Sequence, residues 1–452
     1  MEDKATYTRN CILDLLENGN LKEGDKLPGA RELASEIKVS FAVVQLAIEK
    51  LSQDGVLETR PRQGTFVQPN WNERILQNNF TTFNPESKLP WVPGLKEIFK
   101  DKLPQIRVDP SFRKSVFELR TTLTVQSESE NYLDLREIFD RLYPDKSVFF
   151  NHPFKNFFID GRLPGIPFIF SPRVMFYNPE ILEKANCPPP TPNWTWDDFI
   201  EKIRLLKKTL PPENILNWTP LAHVWMNLVF RAGGCLLDPE SDEPVKIDHP
   251  KTQKGLQLFT DLKNELFPEA AKSQDHLGFP RGNIAFQIGP RENLPLFRKH
   301  GLSNWKNVPL PFIDGGEDIS AQATDLICIR KSCADNQLAE KFVELMLSEE
   351  VQDFIAAEKY GIPIRKSSAM KSIDLDNPND AIFLTEGYKI RSDYNIYSSD
   401  LSILIRDGLT QIWENGKDVK STTEELANAV RIFFRIKKQK AENQKLSAME
   451  AI

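Results

Sequence analysis

The chain has 452 residues, 40% hydrophobic and 27% charged, with a formal net charge of -6. That length predicts about three domains, at roughly 150 residues each, or two with one of them large. No run approaches the ~20 apolar residues of a bilayer-spanning helix. The N-terminus "MEDKATYTRN" has neither the basic nor the apolar segment of a secretory signal. Five scattered cysteines (Cys11, Cys187, Cys235, Cys328, Cys333) form no CxxC pair, which points to buried thiols in a reducing cytoplasm. Residues 1–70 hold nine Lys/Arg against eleven Asp/Glu, a net of -2. A strongly basic nucleic-acid domain is therefore excluded, and any phosphate contact must come from local placement of cations.

In chain order, "YTRNCILDLLENG" predicts a helix with Tyr7, Cys11, Ile12, Leu15 and Leu16 on one stripe, closed by Gly19. "KEGDKLPG" reads as a turn. "ARELASEI" predicts a short second helix with Ala30, Leu33, Ala34 and Ile37 facing inward. Ser40 is a suitable N-cap for a third helix, in which Val44, Ala47, Ile48 and Leu51 mark the core face. Asp54-Gly55 ends it, and "VLET", "RPRQG" and "TFVQ" read as two short strands around a tight loop.

Three helices and such a wing resemble the winged helix-turn-helix of the GntR family. The resemblance covers residues 6–68 through "EGDKLPGARELASEIKVS", "AIEKLSQDGVLE" and "QGTFV". It implies a double-stranded DNA operator as partner, bound by a homodimer. It places Arg31 on the DNA, the start of the third helix (Ser40, Phe41, Ala42, Gln45) in the major groove, and Arg60, Arg62, Gln63 and Gly64 at the minor groove. Phe41, Val43 and Gln45 stand where the family more often has Arg, Thr and Arg. Arginine reads guanine, glutamine reads adenine, and apolar atoms cover thymine methyls, so an A·T-richer target is expected. The bland alternative is a helix that has lost DNA and packs on a partner.

After the linker "QPNW", "ILQNNFTTF" reads as strand-like, "PGLKEIFKDKLP" as helix and "QIRV" as strand. Beyond them, strands alternate with amphipathic helices, which predicts an α/β architecture. The segments "GRLPGIPFIFSPRVMFYN", "TWDDF", "AGG", "RGNIAFQIGP" and "LAEKFVELMLSEE" resemble the maltose-binding-like solute-binding proteins, from about Ile75 to Phe434. The fold class expected is thus multi-domain. A winged helix-turn-helix (α+β) over 1–70 precedes a two-lobe α/β domain of the periplasmic-binding-protein type (type II) over 71–440, with 441–452 a charged tail. Lobe one is expected at about 74–171 and 320–365, lobe two at about 172–319 and 366–435. Hinges fall near Phe170–Pro172 and Leu310–Gln322.

The resemblance implies a cleft ligand, with sugars or sugar acids leading and eight tryptophans available for stacking. Ser171 and Arg173 follow the strand that offers polar groups to ligand; Arg173 serves equally well in a salt bridge. His223 and Trp225 sit near the expected cleft wall, though a lone His or a Trp at helical spacing is more often structural. Arg291 occupies a position often aromatic in the family and suits a carboxylate, or caps a helix. Asn84 and Asp325 complete the candidates. No HExxH, GxSxG, Walker or GxGxxG element occurs, and His152, His223, His249, His276 and His300 have no metal spacing. No enzyme activity, cofactor, metal or membrane partner is expected. The reading is a ligand-responsive transcriptional regulator, the alternative a cytoplasmic solute-binding module with a degenerate DNA-binding domain.

Overall fold

The computed structural model describes residues 4–17, 19–78, 82–85, 91–109, 115–159, 161–217, 222–267, 277–392, 396 and 398–450. They fall into two compact units. Unit one takes its residues from Met1–Arg120, Asn131–Leu142 and Ile327–Met346; unit two takes Thr121–Glu130, Tyr143–Leu326 and Leu347–Ile452.

Unit one begins with α1 (Lys4–Glu17). Ile12, Leu13 and Leu16 face inward. Tyr7, expected on this stripe, is exposed, while Thr8 is buried and its hydroxyl donates to the Lys4 carbonyl at 2.8 Å. Positions 8, 12 and 16 share one helical face; position 7 lies about 100° round from it. Gly19, at φ +73°, ends the turn and donates its amide to Leu16 at 3.2 Å. The second helix, α2 (Ala30–Ile37), stops at Lys38, which adopts the left-handed conformation at φ 57°. Ser40 then precedes α3 (Phe41–Gln53), whose Val44, Ala47 and Leu51 are wholly buried. The wing is an antiparallel hairpin of β1 (Leu57–Arg60) and β2 (Gly64–Val67), with Leu57 opposite Val67 and Arg60 opposite Gly64. Gly64 has φ +115°, and a Cβ there would strike the Lys26 side chain, so only glycine suits the position.

The segment read as strand-like from Ile75 is largely helical. Trp71–Asn78 form α4, and the strand is confined to β3 (Thr82–Asn84). Tertiary burial decides the matter: Ile75 is fully enclosed with Ile12, Leu33, Val44 and Leu51, and Trp71 packs on the same cluster. The N-terminal core thus draws on residues beyond the boundary expected at residue 70. Further on come α5 (Val92–Lys102), β4 (Arg107–Val108) and β5 (Phe117–Thr121). The central β3 pairs in parallel with both strands. Phe342 meets Phe83 at 5.1 Å and Phe117 at 4.8 Å between ring centroids, and Phe83 stacks on Phe99 at 5.5 Å.

In unit two the strand Ile166–Ser171 is buried at all six positions and pairs antiparallel with Ile362–Pro363. Burial on both faces explains why "IPFIF" lacks polar alternation. Val174–Tyr177 runs antiparallel to both Phe286–Gly289 and Lys306–Val308. Thr195 and Asp198 cap the helix Trp196–Leu206 reciprocally, which absorbs the carboxylates at that helix start. Trp194, Phe199, Phe286, Leu409 and Val430 belong to one apolar core. The final helix runs from Val419 to Glu450, so the charged terminal segment is helical to that point. The compact units cut across the expected lobes: residues 143–171 and 347–365 group with unit two, and both expected hinge segments lie inside it.

Arg291 follows the strand Phe286–Gly289 and is 0% exposed. All five of its side-chain donors are committed. Nε reaches Asp380 Oδ1 at 3.0 Å; Nη1 reaches the Gly361 carbonyl at 2.6 Å and Ser372 Oγ at 2.7 Å. Nη2 reaches the Ser372 carbonyl at 2.8 Å and Asp380 Oδ1 at 2.9 Å. Removing one partner of such a pair strands a buried charge. Asp380→Ala should therefore lower the unfolding free energy by about 3–5 kcal/mol in urea titration, and a loss below about 1 kcal/mol would show that the pair does not hold the fold.

Candidate functional site

Two surfaces carry the candidate residues, one in each unit. Ser40, just before α3, and Phe41, Ala42 and Gln45 on it are exposed, while Val44 and Ala47 are buried. Phe41 is 43% exposed, an unusual placement for a phenylalanine. Arg31 is exposed near the start of α2. At the wing tip, Arg62 adopts φ 62° and is exposed with Gln63. Arg60 differs. Its guanidinium bonds Glu58 at 2.8 Å and lies 4.6 Å over the Phe66 ring. That contact, with a second hydrogen bond from Gln68, holds the Glu58 carboxyl below its ordinary range. Part of the wing's positive charge is thus neutralised locally. Lys26 was missed in the sequence, where it falls in a turn. It is exposed, its backbone bridges to Phe66, and its side chain runs against Gly64. It adds a cation beside the wing.

The second surface lies in unit two, where the structure brings Ser171, Arg173 and Asp325 together with two residues not anticipated, Glu292 and Tyr360. Ser171 closes its strand; its hydroxyl accepts from the Arg291 amide at 2.9 Å and donates to the Pro172 carbonyl at 2.9 Å. The Arg173 amide donates to Ser320 Oγ at 3.2 Å. The Tyr360 hydroxyl donates to Asp325 Oδ2 at 3.3 Å. Glu292 is half-buried as a residue, but its Oε2 is out of reach of water and has no hydrogen-bond partner. Burial first, and then the Asp325 charge, push its carboxyl up to about 8; Arg173 and a Ser171 hydrogen bond act in the opposite sense. A carboxyl so placed is protonated at neutral pH and able to donate. The sequence offered one signal for it, the run Arg291-Glu292. Arg291 was the residue chosen there, and the choice is corrected: its guanidinium is enclosed by Asp380 and Ser372 and presents no donor to a ligand.

The other ligand candidates separate. Trp225 is a core residue, 6% exposed, with its ring 5.8 Å from that of Trp413; the apolar helix around it decides its role. Asn84 is buried in unit one, beside Glu118 in the sheet register. Glu118 accepts from the Tyr132 hydroxyl at 3.1 Å, Arg120 Nε at 3.0 Å and Arg330 Nε at 3.1 Å, a buried network of its own. His223 belongs to the helix Ala222–Arg231, but its side chain lies outside the described residues. A cavity between Met175, Phe199, Leu228, Phe259 and Ile288 offers about 10 Å³, at most one water's worth, and is a packing gap. Among the described residues no group of three or more His, Cys, Asp or Glu could hold a metal, and no helix is long and apolar enough to cross a membrane.

Comparison with known proteins assigns both parts. Residues 8–67 match the model of bacterial regulatory proteins of the gntR family, and residues 133–353 match that of bacterial extracellular solute-binding proteins. Neither description is that of an enzyme. The HTH-type transcriptional repressor YtrA of Bacillus subtilis is 32% identical over 75 residues, 17% of this chain and 58% of that protein. The HTH-type transcriptional regulator YhcF of the same organism is 43% identical over 47 residues, 10% of this chain and 39% of that one. The chain thus spans about half the length of the curated relatives it matches. Among solved structures, maltose-bound MalE3 of T. maritima superposes with a TM-score of 0.64 at 17% identity, over 78% of this chain and 99% of that one. An ABC substrate-binding protein of Listeria monocytogenes, in complex with cycloalternan, gives 0.66 at 14% identity, over 79% and 98%. UgpB of Mycobacterium tuberculosis, in complex with glycerophosphocholine, gives 0.65 at 16% identity, over 79% and 99%. At these identities the likeness is one of fold. The chain therefore joins a winged helix-turn-helix regulatory domain of the gntR family to a two-lobe α/β domain of the bacterial extracellular solute-binding protein family.

Proposed function

We propose that this protein is a cytoplasmic transcriptional regulator that binds operator DNA through its N-terminal domain and senses a small molecule, of sugar-like chemistry, in its solute-binding domain. The observation that carries the reading is the covalent union of the two domains. A solute receptor joined to a DNA-reading domain has its use where the DNA is. Likeness to receptors solved with maltose and cycloalternan supports a polyhydroxylated ligand. The protein acts as a homodimer on a pseudo-palindrome with half-sites about 34 Å apart, or a multiple of that. A coupling of ~1–3 kcal/mol between ligand and DNA would change affinity about 5–150-fold. The runner-up, a binding module with a degenerate DNA domain, draws on the exposed Phe41 and the net charge of -2 over residues 1–70. A gel shift with the chain's own upstream region separates the two.

Three outcomes are expected. Arg31→Ala and Arg62→Ala should each weaken DNA binding nearly uniformly across sequences, with a salt slope smaller by about one each, as for lost phosphate contacts. Wild-type affinity in both would remove this face from the DNA. Gln45→Arg should shift preference at one base pair per half-site from A·T to G·C, by ~1–3 kcal/mol, without altering half-site spacing. Selection from a random DNA library measures this, and a G·C-rich wild-type consensus would show that α3 reads differently. Finally, the melting temperature should rise with a member of a saccharide panel, following about 2.7 kcal/mol of stabilisation at a hundredfold excess over Kd. No shift across neutral, aminated and acidic saccharides would sink the carbohydrate assignment.

A further inference from the structure

We propose, resting on the reading of the chain as a DNA-binding regulator, that the final helix carries a second phosphate-binding element: Arg435, Lys437, Lys438 and Lys440 hold the backbone of duplex DNA without reading its sequence. The first part of the helix Val419–Glu450 is fixed to unit two. Leu426, Ala427 and Val430 are buried in the apolar core, and Phe433 and Phe434 pack against it. Arg431 is committed to the same body: its guanidinium reaches the two Asp248 oxygens at 2.9 and 3.0 Å and Glu243 at 2.8 Å. From Arg435 to Lys440 the helix continues and every residue is exposed. Four of these six residues are cations, a charge of +4 in a chain whose net charge is -6. Among the described residues no carboxylate pairs with any of the four. At 3.6 residues per turn, Arg435 and Lys438 fall on one side of the exposed Ile432 and Ile436, and Lys437 and Lys440 on the other.

Charge and shape choose the occupant. A second copy of this segment would set like charges against one another, which is repulsive. A lipid surface calls for a broad apolar face, and two isoleucines do not make one. Duplex DNA meets both conditions, and it is the polyanion that the gntR-type domain already implies. Six residues span about 9 Å of helix axis. Over that length the duplex carries about five phosphates, at one per ~1.7 Å, enough for all four cations. Cations on both flanks suit a helix lying between two phosphate strands, and the major groove, about 12 Å wide, admits one. Residues 1–70 sum to -2, so the salt-dependent part of DNA affinity draws on cations supplied from elsewhere in the chain.

The test compares the full-length chain with a variant combining Arg435→Gln, Lys437→Gln, Lys438→Gln and Lys440→Gln, substitutions that keep helix propensity. Two duplexes of equal length are used, the chain's own upstream region and an unrelated sequence, with affinity followed by fluorescence anisotropy from about 50 to 200 mM salt. The slope of log affinity against log salt should be smaller by about 2 or more on both duplexes, at ~0.9 per lost phosphate contact, with the ratio of the two affinities unchanged. A charge-keeping variant, Arg435→Lys with the three lysines changed to arginine, should retain the wild-type slope; circular dichroism confirms that both variants fold. A smaller slope change, an altered ratio, or equal loss in the charge-keeping variant overturns the inference and leaves the regulator reading standing. Unchanged slopes with loss of binding to phosphatidylserine vesicles would assign the segment to lipid instead. No preference of the wild type for its upstream region, with the slope difference intact, removes the regulator reading alone, and no binding to either duplex removes both.

Discussion

The buried Arg291–Asp380 pair is the constraint on which the polar cluster of unit two depends. A guanidinium with no exposure is tolerated only when every donor is met, and here carboxylate, hydroxyl and two carbonyls meet them. Those partners come from distant segments, Gly361, Ser372 and Asp380, so one side chain ties the strand-end loop to the stretch that follows Ile362–Pro363. Burial lowers the arginine's own pKa, and Asp380 works against that, which keeps the charge in place. Arg291 is fixed inward with its amide on Ser171, and the next residue, Glu292, has a buried carboxyl oxygen without a hydrogen-bond partner. The abnormal carboxyl beside Asp325 follows from a structural ion pair one residue earlier.

The DNA-facing domain solves a different electrostatic problem. Its net charge is -2, and one wing arginine is bonded to Glu58. Non-specific attraction to phosphate is correspondingly small, because that term scales with the number of cations brought to the backbone. On the proposed reading, the domain's affinity would rest on a few placed groups, Arg31, Lys26 and Arg62, and on what α3 offers to base edges. An exposed Phe41 makes sense in that setting. It leaves apolar area exposed in the free protein, which on the proposed reading thymine methyls would cover.

Much of the N-terminal domain was legible in the sequence, because its signals are local. The i, i+3, i+4, i+7 pattern of Val44, Ala47, Ile48 and Leu51, the glycine at 64 and the turn at Asp54-Gly55 each specify structure within a few residues. Tyr7 was misplaced by one position on α1, where an amphipathic aromatic satisfied the pattern as well as Thr8 did. Ile75 was read as strand because its burial depends on a core formed some thirty residues earlier. The polar cluster of unit two was half legible. Ser171, Arg173 and Asp325 could be guessed from the family order of motifs. Between Arg291 and Glu292 nothing local decides which side chain turns in, since the answer lies at Asp380, about ninety residues away. Trp225 was ambiguous for the same reason, its partner Trp413 being far along the chain.

The two surfaces belong to different compact units, but one strand has residues in both. That strand is Ala323–Ile329. It carries Asp325 within unit two, and from Ile327 onward it belongs to unit one. A strand transmits displacement along its length with little slack, because its backbone is extended and its hydrogen bonds fix its register.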